Sequence, residues 1–400
     1  GYTLIMAETS LGRMTRKSPV GAFESFGNSR FISIGGWINA IIPILIVPYY
    51  SVNGGWVIKY LIEYFAGHSK TLAGDAYFTT FISNGWSTEI CFIIFTLFTL
   101  GIIYAGVRNG IERVSRFMMP ILIVLSLIIA VYSVTRPGAI EGVKYFLVPN
   151  FDHFSWMSVV SAMGQMFYSL SIAMGILITF GSYMKKDTSI EKSTENVEIF
   201  DTAIAIMAGL MIIPAVFAFS GGNAETLKSG PALMFITIPK VFANMGFGTA
   251  IGVVFFLLVL FAAVTSSIAL TESAVSTFED ELHWSRKKST VFMGMVMLLL
   301  GTLSCLGYGP LANFKILGMQ FLDFFDFITN SVMMPIAAIA TCLLVSKVVG
   351  VDKIEEEIKK DGQVFRRKKI FCFMIKYLCP LFAAIILISS VANAFGIITM

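Results

Sequence analysis

The stretch Gly164-Gln165-Met166-Phe167-Tyr168-Ser169-Leu170-Ser171-Ile172-Ala173-Met174-Gly175 sits in the middle of an apolar segment spanning 157–183. That segment is long enough to cross a bilayer, which takes about 20 residues as a helix. A plain lipid-facing span would be leucine-rich at its centre, whereas here small, hydroxyl and glycine residues gather. Membrane transporters hold ions and substrates near the midplane on interrupted helices, whose half-helix ends and freed carbonyls act as ligands. The stretch therefore predicts a span broken at its centre.

Outward from it, further apolar segments run at 34–58, 89–107, 117–134, 199–219, 247–278, 290–306, 318–346 and 371–397, with a short apolar piece at 1–7. The 400 residues are 56% hydrophobic and only 14% charged, with a mean hydropathy of +0.79, against about 25% charged for a soluble domain. Lipid must be the solvent of such a chain. The segments are too long for the alternating strands of a membrane barrel, about ten residues each, so the fold class is an all-α membrane protein.

Alternating the loops between two sides divides the 29 lysines and arginines 22 to 7. The rich side carries Arg13, Arg16, Lys17 and Arg30, Arg286 to Lys288, and a run from Lys347 to Lys376. Basic residues accumulate on the cytoplasmic side, so these clusters orient the chain and do not indicate nucleic-acid binding. Cys91, Cys305, Cys342, Cys372 and Cys379 show no paired spacing and read as small buried hydrophobes. His68, His153 and His283 fall far apart in loops, and no bound-metal centre is expected. No Ser/His/Asp, Cys/His or metal-spaced set points to an enzyme.

Two polar islands remain. One is the stretch quoted above; the other is Ala262-Ala263-Val264-Thr265-Ser266-Ser267 in the 247–278 segment. Successive residues turn by about 100° on a helix, so three adjacent hydroxyls cannot share one neighbour. They either bond back to carbonyls a turn earlier or offer neutral oxygens to a cation such as Na+. No Asp or Glu lies within a turn of either island, which argues against a proton relay. Pro43, Pro48, Pro214 and Pro335 interrupt three segments, and Asp280, Asp323 and Asp326 lie at span ends without an evident cationic partner. Glu8, just after the first apolar piece, is either an interfacial helix-end carboxylate or a buried acceptor facing the bundle.

Together these residues resemble the neurotransmitter:sodium symporters, in particular their bacterial amino-acid-transporting branch. The resemblance rests on Gly110-Ile111-Glu112-Arg113, Gly164-Gln165 with Phe167 to Ser171, Gly230-Pro231, Thr265-Ser266-Ser267 and Glu279-Asp280-Glu281, in order and with matching spacing. It implies a single transmembrane transporter domain over 1–400, an inverted-repeat bundle of broken helices. In it 1–134 is the remainder of the first repeat, 157–346 the second, and 371–397 an additional C-terminal helix. Gly1 to Arg13 resembles the later half of the family's second helix, so the first helix and half of the second are expected to be missing.

The resemblance further implies Na+-coupled symport of a hydrophobic amino acid by alternating access, in the inner (plasma) membrane. It assigns Ile46, Tyr50, Tyr168, Ser169, Ser171, Met174, Ser266 and Leu270 to the substrate. Ser169 and Asn223 go to a first sodium site, and Thr265, Ser266 and the Ala262 carbonyl to a second. Asp326 becomes the outer gate, and Asp280 and Tyr183 the inner gate. Chloride dependence is left open, as is a reading of another class, a transport-inactive or regulatory ligand-binding membrane protein.

Overall fold

A computed structural model of the chain describes residues 1–27, 29–227 and 230–397. The principal helices among them are α1 (Tyr2–Thr15), α2 (Pro19–Glu24), α3 (Arg30–Phe65), α4 (Gly85–Tyr104), α5 (Val107–Val134), α6 (Trp156–Ser169) and α7 (Ile176–Tyr183). They continue with α8 (Ile190–Ser220), α9 (Gly248–Leu282), α10 (Arg286–Leu306), α11 (Phe321–Val349), α12 (Val351–Ile358) and α13 (Lys368–Ala394). Eight of these are long and apolar enough to cross a membrane. The 157–183 segment is instead divided between α6 and α7.

The central member is α3, which packs against α2, α4, α9, α10 and α11. Its 36 residues extend about 54 Å, far more than the ~30 Å hydrocarbon core. Pro43 and Pro48 lie inside it without ending it, as proline can in a membrane helix whose neighbours satisfy the freed carbonyls. At its outer end Trp56, Tyr60 and Tyr64 enter an aromatic cluster with Phe78, Phe235 and Phe256, with ring centroids 5.0–5.8 Å apart in the pairs Trp56–Phe78, Tyr60–Phe235 and Trp56–Phe235. Phe235 belongs to a shorter apolar segment, Gly230–Ala243, which lies outside the spans expected from the sequence. Large side chains such as Phe98, Leu127, Leu299 and Ile388 are exposed on the outside of the bundle, as lipid contact requires.

The π-helical turns are local. Val107–Glu112 opens α5, and Phe327–Met333 lies in α11 directly before Pro335. Proline cannot donate an N–H and clashes with the preceding turn, so a widened turn accommodates it without breaking α11. Pro214 likewise stays inside α8.

On the basic side Arg13 ties several loops together. Arg13, at the end of α1, is fully buried and pairs with Glu357 of α12 at 2.7 Å. It also donates to the carbonyls of Thr188 (2.6 Å) and Lys186 (3.4 Å) in the loop before α8. Arg16 adds bonds to the carbonyls of Ser182 and Met184. Upstream, α1 lies tightly on α7: a Cβ at Gly12 would stand 1.9 Å from the Ile178 carbonyl oxygen, so only glycine permits the approach.

Candidate functional site

Between α6 and α7 the helical ladder stops over 170–175. Ser171 and Ala173 have φ of +54° and +58°, and Gly175 has +70°. Left-handed conformations cost non-glycine residues roughly 1–2 kcal/mol each, so the surroundings must hold the break. Glu8 does part of this: fully buried, it accepts the Ala173 N–H at 2.9 Å. The buried-acceptor reading of Glu8 is the one the structure shows. Its second oxygen has no hydrogen-bond partner. At Gly175 a Cβ would meet Pro19 Cγ at 2.6 Å and the Asn39 carbonyl at 2.8 Å, so glycine is required by both conformation and space.

Beside the break is a cavity of about 280 Å³ lined by Ile46, Tyr50, Met119, Tyr168, Ser169, Ser171, Met174, Ile176, Thr265, Ser266, Ala269 and Leu270. All eight residues assigned to the substrate line it, from α3, the broken helix and α9, and no lining side chain carries a charge. Tyr50 of α3 and Ser266 of α9 both face into it. Met119, Ile176 and Ala269 were not anticipated. Through Ser169, Ser171 and Thr265 the cavity shares its lining with a second one of about 340 Å³, which extends along Ile111, Ser115, Phe180 and Val197 toward the basic side.

The three adjacent hydroxyls of α9 have three destinations. Thr265 donates back to the carbonyls of Phe261 (3.1 Å) and Ala262 (3.0 Å). Ser266 faces the cavity, and Ser267, fully buried, accepts from Thr99 of α4 at 3.2 Å. The back-bond uses the hydroxyl proton of Thr265 and leaves its lone pairs available to a cation.

Asn223 does not join this set. It lies exposed beyond the end of α8, where its side-chain oxygen accepts the Glu225 N–H at 2.9 Å and caps a short turn. The physical reason stands in the preceding residues: Gly221 and Gly222, both at positive φ, end the helix before the asparagine can project from it. A carboxylate from the same helix is present instead. Asp201 accepts from the Ser169 hydroxyl at 2.6 Å and lines the 340 Å³ cavity. It belongs to the broken-helix island in space though not in sequence, contrary to the expectation that no acid approaches either island. An Asp at the third position of the apolar 199–219 segment was the available signal.

The residues expected to gate the cavity lie at opposite ends of the bundle. Asp326 accepts from Tyr49 (3.1 Å) and Asn330 (2.6 Å). It lines an outer cavity of about 450 Å³ with Gln165, Phe167 and Tyr168, and Tyr168 thus walls both this cavity and the central one. Asp323 accepts from Tyr308. On the basic side Asp280 accepts the Ser18 N–H at 2.5 Å. Tyr183 donates to Glu272 at 2.7 Å, and Glu272, fully buried, pairs with Arg286 at 2.5 Å. Arg286 also reaches Glu279 at 3.4 Å. The Glu272–Arg286 pair carries no signature in the sequence, its members being fourteen positions apart.

An uncharged cavity beside a broken helix, walled outward by an aromatic residue and continued toward the basic side, suits passage of a small solute across a bilayer. Comparison with known proteins agrees. The model of the sodium:neurotransmitter symporter family matches residues 79–397. The sodium-dependent transporter YhdH of Bacillus subtilis is 31% identical over 100% of this chain and 88% of its own length. A sodium-dependent transporter of Haemophilus influenzae is 29% identical over 98% and 87%. Among solved structures, that of MhsT in complex with L-phenylalanine superposes with a TM-score of 0.85 at 31% identity, covering 98% of this chain and 88% of that one. The chain belongs to the sodium:neurotransmitter symporter family, as a multi-pass, sodium-coupled transporter and not an enzyme.

Proposed function

We propose that the chain carries a hydrophobic L-amino acid, aromatic side chains included, together with Na+ into the cell across the plasma membrane. The observation that carries this reading is the 280 Å³ cavity, in which eight anticipated residues meet without a charged side chain among the lining. A cationic or acidic substrate side chain would be buried unpaired there, at several kcal/mol even after relaxation. Tyr50 is positioned to donate to the substrate carboxylate, with Ser171 and the freed backbone of 170–175 close by. Ile46, Met174 and Leu270 form the apolar walls. That MhsT was solved with L-phenylalanine is consistent with a pocket of this chemistry.

One sodium ion would be held by Thr265, Ser266 and the carbonyl of Ala262, all neutral oxygens. The other would lie at Ser169 and Asp201, where Asp201 takes the place expected of Asn223. A carboxylate within hydrogen-bond distance of the ion's ligand supplies a negative charge from the protein itself, so chloride is not required. In alternating access Asp326 and Tyr168 close the outer side while Asp280, Tyr183 and Glu272 release the inner one.

The test is uptake of radiolabelled phenylalanine and leucine into proteoliposomes, with competition by all twenty amino acids. Uptake should need sodium outside, persist when gluconate replaces chloride, and be inhibited most by apolar and aromatic competitors. Strongest inhibition by glutamate or lysine overturns the pocket assignment; equal uptake on a proton gradient without sodium overturns the ion assignment.

A further inference from the structure

On the basic side, the first three turns of α3 carry a groove of about 460 Å³ lined by Arg30, Ser33, Ile34, Trp37, Ile38 and Ile41. Arg30 is exposed, as are Ile34 (54%) and Trp37 (39%). The residues recur at helical spacing on one face, with the charge at one end and isoleucines along the rest. From Arg30 to Ile41 the face rises about 16 Å, close to the ~15 Å of one hydrocarbon leaflet. It thus matches one lipid molecule in both length and polarity: headgroup at Arg30, acyl chain along Ile34, Ile38 and Ile41.

The polar end is not simply cationic. Glu24, exposed at the end of α2, accepts from the Ser33 hydroxyl at 2.7 Å, and Ser33 lies one turn from Arg30. A guanidinium and, through Ser33, a carboxylate thus lie at the same end of the groove. An anionic glycerol headgroup would satisfy the first and be repelled by the second. A choline headgroup has no N–H to donate. A primary ammonium joined by a short link to a phosphate satisfies both signs, with phosphate on Arg30 and ammonium on Glu24.

We propose that this groove is a binding site for phosphatidylethanolamine, which braces α3 against α2. The site shares no residue with the substrate cavity, so its test stands apart from the transport reading. The full chain, purified in mild detergent, is incubated separately with phosphatidylethanolamine, phosphatidylglycerol and phosphatidylcholine, and retained lipid is counted by native mass spectrometry. A basic residue near a lipid surface contributes about 1 kcal/mol, about fivefold in occupancy. Phosphatidylethanolamine should be retained most. Arg30→Ala should lower its retention by about that factor, and Trp37→Ala, which leaves the charges in place, should also lower it. Glu24→Gln should shift preference toward phosphatidylglycerol. Both Arg30 and Glu24 are exposed, so neither change threatens folding, and unchanged thermal unfolding confirms this. Equal retention of all three lipids, meaning annular lipid only, overturns the proposal, as does wild-type retention by Arg30→Ala. Dimers that form through this face and exclude lipid overturn it as well.

Discussion

Met174, 2% exposed, meets the cavity with an unbranched, flexible side chain that can yield to a ring or close on a smaller substrate. A rigid ring there overfills the space, so Met174→Phe should weaken phenylalanine or tryptophan binding by about tenfold, the equivalent of ~1.4 kcal/mol. Alanine and leucine should lose far less, and competition uptake measures the contrast. At the proposed ion sites, replacing Thr265 by Val together with Ser266 by Ala should raise the sodium concentration for half-maximal uptake tenfold or more. A hydroxyl used only for helix packing is worth about 0.6 kcal/mol in a membrane, or roughly threefold, so the sodium titration separates the roles. Asp201→Asn should likewise raise the sodium requirement, because the ion then lies in a low-dielectric site without a compensating charge. An unchanged titration would reduce the Ser169–Asp201 bond to a structural one. The cavity residues, drawn from three distant helices, were legible only through the resemblance; Ser169 and Asp201 are 32 positions apart, and no local spacing could join them.

Among the elements, the broken helix was the most legible, since a continuous lipid-facing span gains nothing from an island of small and hydroxyl residues at its centre. Its exact limits were not, because they depend on Glu8, 165 residues away from Ala173. Glu8→Ala would leave the Ala173 N–H buried without an acceptor, at about 1–3 kcal/mol. Glu8→Gln keeps an oxygen in place. Thermal unfolding of the purified chain should therefore show a clear fall for Ala and a small one for Gln; equal falls would mean that Glu8 does not hold the break. The prolines of α3 leave it one helix: in a crowded bundle neighbouring helices can keep a proline-containing helix continuous, so proline marks a freed carbonyl more dependably than a break. The asparagine at 223 misled because a glycine pair just before it ends the helix, a cap signal that outweighs spacing to a distant motif.

For the whole molecule, composition and the apolar segments were enough to read a multi-pass bundle. They could not disclose how the inner loops cohere, since the bonds of Arg13 to Glu357 and Thr188 span 344 and 175 positions. Removing one member of a buried ion pair typically costs about 3–5 kcal/mol, so Arg13→Met should lower the unfolding midpoint well beyond any exposed-residue change. A further consequence concerns how the protein comes apart under attack. The loop before α8 and the segment around α12 are held by the same guanidinium, so neither can lift from the bundle without releasing the other. Limited trypsin digestion from the basic side should therefore cut at Lys185 and Lys186 at the same rate as at Lys359 and Lys360, although these sites lie far apart in the chain. In Arg13→Met the two rates should part, the more loosely packed loop being nicked first; staggered cuts in the unaltered protein would show that the two loops open independently.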